Sequence, residues 1–117
     1  MNTKINVTLL LRVADVISKH PEQFDMGKWE CGTTACLAGW SLRLIGKRIG
    51  QVPWSVAIEL LGLSRSQTEE IFWESDWPFQ FQFSGSDTDA DRAAKAVKRI
   101  HTFLDEHASG WREEHKL

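Results

Sequence analysis

The chain has no tyrosine, only two cysteines and three prolines, no long apolar run and no excess of charge of either sign. Each scarcity excludes something. Without long apolar runs there is no candidate transmembrane helix, which needs about 20 consecutive apolar residues. Fourteen basic against sixteen acidic residues leave a formal charge of −2, so the basic stripe of a protein that neutralises many phosphates is missing and duplex DNA is not an expected partner. Two cysteines cannot build a disulfide framework. The opening Met1-Asn2-Thr3-Lys4 leads into an amphipathic run rather than a signal peptide. The expectation is a cytoplasmic protein with reduced thiols, no membrane partner and no cofactor.

What is present fits one folded unit. A chain of 117 residues with 42% hydrophobic and 26% charged residues is long enough to bury a single core without staples. The expectation is a single domain over residues 1–117, with the charged segment 110–117 fraying at its end.

Periodicity makes that domain all-α, a compact bundle of about five helices. Ile5, Leu9, Leu10, Val13, Val16 and Ile17 recur at spacings of three and four, one face of a helix. His20-Pro21 ends it, and Phe24, Met26 and Trp29 in the following loop should fold back onto the core. A second helix over about 34–45, capped by Thr33 or Thr34 and closed by Gly46, is apolar almost all round and therefore central and buried. Pro53 opens a third helix ending at Gly62, and Ser64 with Gln67 forms a capping box for a fourth. Phe79, Phe81 and Phe83 alternate with period two, as in an extended segment without a strand partner. A long C-terminal helix over about 88–106 follows an acidic start. Its predicted face is Ala90, Ala93, Ala94, Val97, Ile100 and Leu104, with Lys95, Lys98 and Arg99 outside, and it should pack along the second helix.

The stretch Glu-Cys-Gly-Thr-Thr-Ala-Cys-Leu-Ala-Gly-Trp, residues 30–40, holds both cysteines and admits several chemistries. Cys36 in a first helical turn is a candidate thiol nucleophile, since a helix N-terminus favours thiolate; the plainer alternative is a small buried apolar residue. Its base would come from His20, His101, His107 or His115, none of them in a local signature. Cys31 and Cys36, with His101 and His107, match the outermost ligand spacings of zinc sites. Two histidines six apart on one helix point in nearly opposite directions, however, so no metal site is assigned. Gly32, Thr33 and Thr34 ahead of a buried helix would offer free N–H groups and hydroxyls to an anion. Trp29, Trp73 and Trp77 are candidate stacking surfaces beside them; the plainer alternative is an ordinary N-cap.

The aromatic cluster over 72–83 is the second candidate surface. Phe72, Trp77, Phe79 and Phe81 are too many large rings for short helices and loops to cover, which marks a partner site, or else they pad a small core. Glu69, Glu70, Glu74 and Asp76 read as a solvated acidic rim, and Asp87, Asp89 and Asp91 as helix-dipole residues.

Cys31-Gly32-Thr33-Thr34-Ala35-Cys36-Leu37-Ala38-Gly39-Trp40, followed by Leu61-Gly62-Leu63, Gln67, Ile71-Phe72 and Trp77-Pro78, resembles a group of small bacterial and phage proteins. These carry a Cys-Gly-Thr-x-x-Cys-x-Ala-Gly signature and then Leu-Phe and Trp-Pro segments. The resemblance spans about residues 5–104 and implies that the two motifs belong to one arrangement. Its occurrence in phages implies counter-defence, in which small proteins bind a host protein or sequester a nucleotide signal; it implies no residue roles. The favoured expectation is a non-enzymatic protein that binds a small anionic or nucleotide-like ligand at Cys31, Gly32, Thr33 and Thr34, with Cys36 in the wall. A module that inhibits a host protein through the aromatic surface comes second, and a cysteine enzyme built on Cys36 third.

Overall fold

The computed structural model describes residues 5–26, 30–31, 34–46 and 55–115, with backbone only at 30, 31, 34 and 35. Helix α1 (Val7–Lys19) buries Val7, Leu9, Leu10, Val13, Ala14 and Ile17, and begins two residues after the start of the apolar period. The delay has a cause at Asn6, whose carboxamide oxygen accepts from the Leu9 N–H at 3.0 Å and caps the helix. The Asn6 backbone and side-chain nitrogens also donate to the carbonyls of Leu61 and Leu60. Pro21 ends α1 and opens a 3-10 turn, Pro21–Gln23, after which Phe24 returns to the core.

Strands β1 (Glu30–Cys31) and β2 (Thr34–Ala35) form an antiparallel hairpin in which Glu30 faces Ala35 and Cys31 faces Thr34. This corrects the expected helix start. Helix α2 (Leu37–Arg43) begins three residues later than predicted, and its N-cap is Cys36, not a threonine. Thr34 is held extended by the ladder. Helix α2 buries Leu37, Ala38, Gly39, Trp40, Ser41 and Leu42, as a helix apolar on all sides should. The buried Ser41 hydroxyl donates to the Leu37 carbonyl at 2.8 Å, and the Trp40 indole N–H donates to the Gln23 carbonyl at 2.9 Å, so neither polar group is stranded. Gly46 closes this region at φ +80°, the left-handed conformation a glycine takes at lowest cost.

Helix α3 (Ser55–Leu61) ends at Gly62, and its expected start at Pro53 lies outside the described residues. The predicted capping box opens α4 (Arg65–Phe72): the Gln67 N–H donates to Ser64 Oγ at 3.2 Å, and the Ser64 N–H to Gln67 Oε1 at 2.9 Å. Helix α5 (Asp89–His107) has its own box between Thr88 and Asp91. Its buried face is rotated from the predicted one: Ala90 and Ala94 are exposed, while Ala96, Arg99 and Phe103 are buried. Arg99, expected outside, is a correction. In the segment expected to fray, α6 (Trp111–His115) is anchored by a fully buried Trp111 whose indole N–H donates to Asp105 at 2.8 Å, and residues 116–117 lie outside the described residues.

The result is an all-α bundle with one short hairpin among the described residues. Helix α5 packs chiefly along α1 rather than along α2, while α2 is seated against α3 and α1, and α4 lies on α5. No helix among the described residues is long and apolar enough to cross a membrane.

Candidate functional site

The segment after α4 is an irregular loop with an ordered interior. Helix α4 stops where Trp73 turns extended, and two 3-10 turns follow, Glu74–Asp76 and Phe79–Phe81. The alternating phenylalanines are therefore not an extended run. Trp77 is the peg between the turns. It is 2% exposed, its indole N–H donates to the Ile71 carbonyl at 3.2 Å, and its ring meets Phe83 edge to face at 5.6 Å. Phe83 also meets Phe24 edge to face at 6.2 Å. The Gln82 amide donates to the Trp77 carbonyl, and the Glu74 carboxylate accepts from the Phe83 N–H. The loop is thus tied to itself and to the core, and two rings remain outside: Trp73 is 38% exposed and Phe79 is 88% exposed.

Between this loop and the chain flanking the hairpin lies a cleft of about 350 Å³, at the lower end of the range of small-molecule pockets. Phe24, Asp25, Met26 and Cys36 line one side; Phe72, Trp73, Glu74, Ser75, Phe83 and Arg92 line the other. Cys36 of the first motif and the aromatic segment therefore meet across one depression. Among the described residues its carboxylates, Asp25 and Glu74, outnumber its single guanidinium. Arg92 is moreover occupied, donating to the Asp87 carbonyl at 2.6 Å and to Asp89 at 3.1 Å. Asp87 anchors that corner: a hydrogen bond from Lys95 at 2.7 Å, seconded by the Ser84 backbone N–H, holds its carboxyl down to about 2.

Cys36 does not have the environment of a nucleophile. It is 4% exposed, and burial pushes its thiol pKa up, more than the neighbouring backbone N–H groups of α2 pull it down; the Asp25 charge pushes the same way as burial. No histidine lines its cleft among the described residues. His101 stacks on Trp111 at 5.2 Å, its pKa lowered first by burial and then by Arg112.

The remaining predicted residues are distributed as follows. Trp29, Gly32 and Thr33 lie outside the described residues, and Cys31 and Thr34 are described only as strand backbone. Trp77 departs from both roles expected of it, because a ring buried in the core offers neither a stacking face nor a docking surface. Phe72 is buried at the cleft wall. Phe81, half-buried, lines a separate shallow groove with Lys95 and Lys98. Reasoning from sequence missed a further constellation, Glu70, Glu106 and His107 around the buried Arg99. The only hint of it was the adjacency of Glu106 and His107.

No family model, curated protein or solved structure matches the chain, and the functional reading rests on the geometry of its own residues.

Proposed function

We propose that the protein is a non-enzymatic interaction module that binds a protein partner through the rings exposed on the 72–83 loop. The observation that carries this reading is Phe79, an aromatic ring 88% exposed on a loop whose own anchor, Trp77, is locked in the core. A ring held out on a tethered loop forfeits apolar burial that contact with a partner would recover. Glu69, Glu74 and Asp76 lie on the same stretch of chain, so a partner segment combining apolar and basic side chains matches it best. A host protein, the class implied by the resemblance to phage proteins, is the partner to seek first.

The test is capture from bacterial lysate by the parent chain and by Phe79→Ala, followed by a quantitative binding assay with the captured protein after purification. Phe79→Ala should keep the parental melting temperature and weaken binding by at least about tenfold, as truncation of an aromatic hot spot does. Equal binding by the variant would remove the reading.

A small ligand is the second reading, and the 350 Å³ cleft beside Cys36 is what favours it. The anionic or nucleotide-like ligand first expected at Gly32, Thr33 and Thr34 draws less support, because Thr34 belongs to a strand and Asp25 and Glu74 face the cleft. A thermal-shift screen with nucleotides and small phosphates tests it, since a ligand of the native state raises the melting temperature.

A further inference from the structure

We propose that Glu70, Glu106 and His107 form a binding site for a divalent transition-metal ion of the zinc class, at the seam between α4 and α5. His107 Nε2 lies 2.9 Å from Glu70 Oε2 and 3.8 Å from Glu106 Oε2, and the three ligand atoms all fall within 4.8 Å of one another. An ion held tetrahedrally at about 2.0–2.2 Å from each would set its ligand atoms about 3.4 Å apart. The spacing already brackets that value.

Proximity of charged groups would not by itself distinguish a metal site from an ion pair. The state of His107 does. Its Nε2 is shut off from solvent and has no hydrogen-bond partner; the Glu70 oxygen is near enough but stands out of line for an N–H···O bond. A buried ring nitrogen left in this way needs an explanation. An ion on its lone pair, with the Glu70 oxygen as the adjacent ligand, supplies one. The ring is also held in place, packed on Phe103 at 4.7 Å between centroids.

Arg99 provides the outer support. Its side chain is 3% exposed, and its Nη1 stands 3.7 Å from Glu106 Oε1, the oxygen on the other side of the carboxylate from His107. Its second terminal nitrogen donates to the Glu70 backbone carbonyl at 3.4 Å. One guanidinium thus sits beside the Glu106 carboxylate and ties α5 to the α4 backbone at Glu70, the kind of outer support found around bound metals. Two carboxylates against one guanidinium leave one net negative charge for the dication. One imidazole nitrogen and two carboxylate oxygens suit zinc, manganese or ferrous iron rather than the soft ions that choose thiolates. Three protein ligands leave a position open to water.

The experiment is calorimetric titration of zinc chloride into the intact chain, the Glu70→Gln, Glu106→Gln and His107→Gln variants, and a Cys31→Ser control, with cobalt spectra recorded on the parent. The expected result is one ion per chain at micromolar or tighter affinity, at least about tenfold weaker in each ligand variant. Cys31→Ser should bind as the parent does, and cobalt should show no thiolate charge-transfer band. If His107→Gln fails to fold, Glu106→Gln decides, since that side chain is half exposed and its replacement keeps the shape. No binding by the parent, undiminished binding by Glu106→Gln, or a thiolate band would each overturn the site.

Discussion

Cys36 occupies the last extended residue before α2, as its N-cap. Its position was legible to within a residue or two, but the balance of forces on its thiol was not. Periodicity placed it inside a helical turn, where the dipole would favour thiolate. The strand pairing at Thr34 puts it one residue ahead of the helix, in a site where loss of hydration outweighs the pull of the backbone N–H groups. A thiol that holds its proton more tightly when folded contributes stability that is complete below the unfolded pKa, about 8.5, and lost as pH rises through the higher folded value. Cys36 should accordingly alkylate with iodoacetamide at least about tenfold more slowly in the folded protein than in urea, read peptide by peptide by mass spectrometry. Fast labelling in the native state would restore the enzyme reading. Arg99 was misread for a related reason: on an amphipathic helix a charged residue is assigned to solvent, and only its neighbours Glu106, Thr102 and the Glu70 carbonyl make its burial tolerable.

Elements with chemical punctuation were the readable ones. The helix starts that declared themselves were Ser64 with Gln67 and the acidic start before α5, because such signals are local and depend on side chains within one turn. The hairpin gave no signal, since strands of two residues are too short to show a period. The 72–83 loop misled because alternating phenylalanines satisfy a period-two pattern while their backbone turns in 3-10 fashion around Trp77. The two aromatic substitutions therefore separate at this scale. Trp77→Ala removes the peg and should cost about 3–5 kcal/mol, measured by urea denaturation. Phe79→Ala should stay within about 0.5 kcal/mol of the parent. If Trp77→Ala melted with the parent, the loop would not depend on its tryptophan.

In the whole molecule, the long helix joins parts of the chain that are remote in sequence, and for that reason the Glu70, Glu106 and His107 group could not be read from spacing: α4 and α5 are brought together by tertiary packing alone. The chain also closes on itself at its far end, where Trp111 fills a fully buried position and Asp105 accepts from both its indole N–H and the Arg112 Nε. Trp111→Ala should remove about 3–5 kcal/mol from a total of about 5–15, lowering the melting temperature by more than about 10 °C in calorimetry. A small shift would mean that α6 is dispensable. The dominant packing of α1 on α5 has a consequence in time. About 70 residues separate Lys19 from Asp89, and at roughly 5–20 residues per second a ribosome needs on the order of 4–14 s to make them. Throughout that interval the nascent α1 stripe has no α5 to cover it, so its apolar residues gain their native cover only when the last long helix has been made.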